Sequence, residues 1–156
     1  PAGGLSARLM GLTAALTAAG LVSEASEDIQ RELWYKLWGN MTMNPVSAIT
    51  GATTDRILDD PLTREFCSAV MREAQAVGER IGIHITQTLE ARHEITRQLG
   101  AMKTSMLQDA EAGRSLELDA LVGAVVEIGG RVGVPTPHTN ALFGLARLSA
   151  RVRGLY

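Results

Sequence analysis

Apolar residues in this chain recur at spacings of three and four, and the alternation that a half-buried strand needs is almost absent. That periodicity constrains the fold more than any other feature. Each helix must bury one stripe, so the expectation is a compact all-α domain of about seven helices. Leu5, Leu9, Leu12, Leu16 and Ala19 form the first stripe, and Gly20 follows where a helix end favours a left-handed residue. A second helix opens near Ser26 and passes Trp34, Leu37, Trp38 and Met41. It is expected to stop near Asn44, because Pro45 disfavours helical geometry in the residue before it. Asp60-Pro61 is a start signal, an N-cap acceptor followed by proline at the first helical position. Phe66, Val70, Ala74, Val77 and Ile81 then line one face, closed by Gly82. Leu89, His93, Thr96 and Leu99 mark a weaker helix ending at Gly100, and Ser105 with Gln108 reads as a capping box. Leu118, Leu121, Val122, Val125 and Ile128 make the most apolar helix, expected at the centre and ended by Gly129, Gly130 and Gly133. Beyond Pro135 and Pro137 a last helix carries Leu142, Leu145, Leu148 and Val152. The one strand-like piece, Leu21-Val22-Ser23, has no second edge in the sequence to pair with.

The 156 residues make one domain, 1–156. Fifteen Lys+Arg against 17 Asp+Glu leave a net charge of −2, with no basic footprint for nucleic acid and no polybasic membrane patch. Leu9 to Val22 resembles a signal-peptide core, but it is too short to span a bilayer, two threonines interrupt it, and no basic region precedes it. Cys67 is the only cysteine, which excludes an internal disulfide and a thiolate metal cluster and points to a cytoplasmic setting. His84, His93 and His138 lack metal-ligand spacing, so no metal site is expected, and Cys67 reads as a small core residue. The glycines from Gly129 to Gly133 follow a helix rather than a strand, which suits a helix stop better than a phosphate loop. A chain that starts at Pro1 is expected to be a processed product or a piece of something longer.

Lys36, Asn40 and Asn44 follow one another at i, i+4, i+8 in YKLWGNMTMN. Each step of four advances about 40° around a helix, so the three head groups share a narrow stripe. One cation and two neutral amides can polarise a carbonyl and hold a small carboxylate without overcharging a pocket. The plainer reading is a solvated helix face. Against it stand the bulky neighbours Trp34, Leu37, Trp38, Met41 and Met43, and the poor fit of asparagine inside a helix. Ser105 and Glu117 could also face a cleft, or serve only as a helix cap and as a dipole-matched charge at a helix start.

These segments carry a resemblance. ELWYKLWGNMTMNPVSAIT, then TSMLQDAEAGRSLELDALVGAVV, then GVPTPHTNAL resembles the C-terminal helical domain of the 2-dehydropantoate 2-reductase (ketopantoate reductase) family over nearly the whole chain. The resemblance implies a 6-phosphogluconate dehydrogenase C-terminal-like fold that follows a Rossmann domain, with this sequence beginning just after that domain ends. It implies NADPH as cofactor, bound mainly by the Rossmann domain, and hydride transfer to the 2-oxo group of ketopantoate to give pantoate in pantothenate biosynthesis. By the same resemblance Lys36 is the catalytic general acid, Asn40 and Asn44 bind substrate, Ser105 holds the substrate carboxylate, and Glu117 lies close to the cofactor and to Lys36. Where some members carry a further asparagine this chain has Thr53-Thr54, which puts that contact and the substrate preference in question. The expected partners are a small 2-oxo acid and the Rossmann domain of the same protein, with a homodimer left open. Two alternatives stand beside this reading: a reductase for another branched 2-oxo acid, and a non-catalytic helical interaction module derived from such a domain.

Overall fold

The computed structural model describes residues 4–156. Among them are eight α-helices and one π-helical turn, and no strand. In chain order these are α1 (Ala7–Ala18), α2 (Ile29–Thr50), α3 (Thr54–Asp59), α4 (Pro61–Arg80), α5 (Leu89–Arg97), α6 (Ser105–Glu111), the π turn (Asp119–Gly123), α7 (Ala124–Val132) and α8 (Pro137–Val152). No helix among the described residues is long and apolar enough to cross a membrane.

The centre is α2, not the 118–128 segment. It packs against α3, α4, α6, α8 and the π turn. Trp34, Trp38, Met41, Met43 and Val46 are buried along it. Both indoles are satisfied against α4: Trp38 Nε1 donates to the Met71 carbonyl at 2.8 Å and Trp34 Nε1 to the Ala74 carbonyl at 3.3 Å. The helix starts at an Asp28 cap, whose carboxylate accepts from Arg31 N–H, and continues through Pro45 to Thr50. A proline inside a helix costs about 3 kcal/mol. Burying Met41, Met43 and Val46 contributes roughly 1.5–3 kcal/mol each, so packing overrides the local break.

Other local signals hold or shift for identifiable reasons. Asp60 caps α4 as expected, its Oδ1 accepting from Thr63 N–H at 2.8 Å. The cap of α6 is Thr104 rather than Ser105: the Thr104 hydroxyl accepts from Leu107 N–H at 3.2 Å, while Gln108 donates to the Lys103 carbonyl. The helix after Leu118 opens with the π turn and runs past Gly129 and Gly130 to Val132, where Gly133 (φ 72°) ends it. Gly129 serves close packing instead, since a Cβ there would meet Thr136 Cγ2 at 2.9 Å and the Val134 carbonyl oxygen at 3.1 Å.

On α8 the expected leucine row is not the buried one. Leu142 is buried, but Leu145, Leu148 and Val152 are exposed. The inward row is Thr139, Leu142, Ala146 and Ala150. Ala146 and Ala150 join a second core cluster with Ala48 of α2, Met106 and Ala110 of α6, Leu116 and Leu118. Small side chains let three helices approach closely there, and Arg153 staples them by donating to the carbonyls of Ala48 and Ala110. At the other end of the chain α1 buries no residue, and Leu21-Val22-Ser23 forms no strand, with Val22 98% exposed.

Candidate functional site

The face of α2 opposite Trp34, Trp38 and Met41 carries Lys36. Because each i+4 step rotates by about 40°, the row winds from solvent toward the interior. Lys36 is exposed, Asn40 is half-buried, and Asn44 is only 6% exposed. None of the three side chains has a hydrogen-bond or ion-pair partner among the described residues. Asn44 nonetheless is not among the sealed, unsatisfied polar groups, so its amide still meets solvent. A nearly buried amide left unpaired but reachable suits a recognition group, since burial without a partner costs roughly 1–3 kcal/mol. The row therefore offers an ammonium at its exposed end and two neutral amides of increasing burial.

Ser105 is carried by α6, which lies against α2, and Glu117 lies in the loop just ahead of the π turn, which also packs on α2. Ser105 is the first residue of α6 and is exposed; its neighbour Thr104 does the capping, which leaves the Ser105 hydroxyl free of that duty. Glu117 is exposed just before the π turn, and no ion pair joins it to Lys36 among the described residues. Thr54 is fully buried, with its hydroxyl 3.0 Å from the Gly100 carbonyl and its N–H donating to Met102, while Thr53 bonds the Asp55 carboxylate. Both threonines are thus engaged in holding the α3 entrance.

Arg92 of α5 escaped the sequence reading. Its guanidinium lies over the Tyr35 ring at 5.4 Å and presses against the α2 backbone at Gly39. Its Nε is buried without a partner, and its Nη1 reaches only Thr96 Oγ1 at 3.4 Å. A readable signal was Gly39 itself. Glycine costs about 1 kcal/mol inside a helix, and here the missing Cβ is what admits the guanidinium. This adds a second cation to the face neighbouring the Lys36 row.

A separate polar hollow joins α4 and α5, where Ser68 Oγ lies 2.9 Å from His93 Nε2. Burial holds the His93 imidazole below its ordinary pKa. Arg72 pairs with Glu65 and Arg97 with Asp59 at its rim, which fits a matched structural seam. Cys67 is completely buried and burial pushes its thiol up to about 12, a core residue rather than a nucleophile.

Residues 28–150 match the family model described as ketopantoate reductase PanE/ApbA C terminal. A 2-dehydropantoate 2-reductase from Mesorhizobium japonicum is 44% identical over 100% of this chain and 48% of its own length. A crystal structure from Ralstonia solanacearum MolK2, provisionally named a ketopantoate reductase, is 62% identical with a TM-score of 0.94, covering 99% of this chain and 47% of that one. The 2-dehydropantoate 2-reductase structure from Methylococcus capsulatus is 33% identical with a TM-score of 0.90, covering 97% and 49%. The chain spans about half the length of the relatives it matches.

Proposed function

This chain belongs to the ketopantoate reductase family, as its C-terminal domain, and on that premise we propose that it is the substrate-binding and catalytic half of an NADPH-dependent 2-oxo-acid reductase, reducing 2-dehydropantoate to pantoate in pantothenate biosynthesis in the cytoplasm. The observation that carries the reading is the Lys36–Asn40–Asn44 row, graded from solvent to interior and unpartnered among the described residues.

The fit to a dinucleotide is partial. The glycines after Val125 lie in and at the end of α7, and a helix C-terminus repels a pyrophosphate that a helix N-terminus would attract. In this proposal the pyrophosphate is held by a preceding Rossmann domain. Exposed Glu117 suits an acceptor for a neutral donor on the cofactor. When bound, NADPH supplies the hydride that adds to the 2-oxo carbon. Lys36 Nζ donates a proton to the carbonyl oxygen, where negative charge develops only as the hydride arrives, so its ammonium stabilises the transition state more than the ground state. The Asn40 and Asn44 amides hold the substrate deeper along the row, and the Ser105 hydroxyl donates to its carboxylate. Residues 4–27, with the unburied α1 and exposed Val22, offer an apolar face for the preceding half, and the exposed Leu145, Leu148 and Val152 of α8 offer one for a second copy.

The test is made in a chain that includes the nucleotide-binding half. Lys36→Ala is expected to lower kcat roughly 100-fold or more with an unchanged Tm. Asn40→Ala and Asn44→Ala are expected to raise KM for the oxo acid by about tenfold. A Lys36→Ala enzyme with near-normal kcat and KM would return the row to ordinary helix surface.

A further inference from the structure

The segment after α8 is folded back onto the residues that flank Glu117. At the end of α8 the chain reverses at Gly154 (φ 69°), with Gly154 N–H reaching the Arg151 carbonyl at 3.1 Å and Leu155 N–H reaching Ala150 at 2.8 Å. That turn tucks Leu155, 4% exposed, into the cluster containing Leu116 and Leu118. The Leu155 carbonyl then accepts Leu116 N–H at 2.9 Å. One residue further on, the Tyr156 hydroxyl lies 2.7 and 2.8 Å from the two carboxylate oxygens of Asp119. The Arg151 guanidinium sits over the tyrosine ring at 5.1 Å from its centroid. Residue 116 is tied through its backbone and residue 119 through its side chain. Glu117 stands between the two ties, exposed and with no side-chain bond of its own among the described residues.

An acidic group without side-chain partners points where its backbone points. Two residues further on, at Asp119, the backbone enters a π turn, a geometry frequent at functional sites. The side-chain tie lies at the edge rather than in the core: Asp119 is exposed and Tyr156 is 40% exposed. An exposed hydrogen bond contributes little to global stability, whereas a small displacement of a catalytic group is costly to rate. We propose that Tyr156 and Asp119 form a clasp that positions Glu117 toward the cofactor. Tyr156 is a positioning residue, acting through Glu117. The proposal rests on Glu117 facing the cofactor, as set out above.

The experiment uses the reductase with both halves and measures the Kd for NADPH by fluorescence titration without the oxo acid, KM for NADPH, KM for the oxo acid, kcat and Tm; the Kd is expected to move with KM for NADPH. Tyr156→Phe is expected to raise KM for NADPH roughly three- to tenfold, with kcat within about twofold and no loss of Tm. Asp119→Asn keeps an acceptor oxygen for the phenol and is expected to stay near wild type, while Asp119→Ala is expected to match Tyr156→Phe. In a Glu117→Gln background the Tyr156→Phe effect is expected to vanish, because the two changes act through one group. If Glu117→Gln raises KM for NADPH but Tyr156→Phe is silent, or adds its full factor on top, the clasp is overturned and the cofactor reading of Glu117 survives. If Glu117→Gln changes no constant, that reading fails and the clasp with it.

Discussion

Removing the Glu73 carboxylate tests how α8 is held. Thr136, the residue at the α8 N-cap, makes no side-chain cap bond. The acceptor comes instead from α4: Glu73 takes the His138 and Thr139 N–H groups, both at 2.9 Å, and the Thr139 hydroxyl and His138 Nδ1, both at 2.7 Å. Losing a helix cap costs typically about 1 kcal/mol and up to about 2, and bonds to a charged acceptor contribute about 1.5–3 kcal/mol. The Glu73 side chain is 11% exposed, so water replaces it poorly. These contributions overlap. Glu73→Ala is expected to destabilise the fold by about 3 kcal/mol near neutral pH, with Glu73→Gln losing about half of that.

The same substitution has a pH signature. Burial by itself would raise the Glu73 carboxyl, but the bonds from Thr139 and His138 together outweigh it and hold the pKa below the ordinary 4.5. A depressed folded-state pKa gives stability that is complete above the unfolded value and is lost as pH falls through the folded one. The gap between wild type and Glu73→Ala should therefore be full above the ordinary carboxyl value of 4.5 and narrow as the solution is acidified below it. Urea unfolding across that range reads it directly. A gap below about 0.5 kcal/mol at neutral pH, or one that does not narrow in acid, would refute the cross-helix cap.

Two further outcomes follow from burial. Cys67, with its thiol pushed up to about 12, should resist a thiol-reactive disulfide at mildly alkaline pH and react only as fast as the chain unfolds; rapid labelling of the native protein would contradict its place in the core. In Gly78→Ala the new Cβ would fall 2.5 Å from Trp34 Nε1 and 3.0 Å from the Ile83 carbonyl oxygen. Displacing that indole should cost about 1–3 kcal/mol and alter tryptophan emission, and an unchanged Tm with an unchanged spectrum would show that the Trp34 contact is slack.

The all-α class, the Asp60-Pro61 start and the Lys36–Asn40–Asn44 row were legible in the linear chain. Each depends on residues within a turn or two of one another, and helix geometry alone places them. What lay beyond reach was every choice made by a partner distant in sequence. Local rules stop α2 before Pro45, yet the walls supplied by α4, α6 and α8 carry it on to Thr50. Hydropathy ranks the leucines of α8 above its alanines, yet Ala146 and Ala150 face inward, because the gap beside Ala48 and Ala110 admits only small side chains. The cap of α8 comes from Glu73, and room for Arg92 comes from Gly39. Propensities separate alternatives by tenths of a kcal/mol to about one, while burial and close packing separate them by several. Periodicity therefore determined that the chain is helical and which side chains share a stripe. Only tertiary packing decided which stripe is buried, how deep Asn44 sits, and what holds the ground on either side of Glu117.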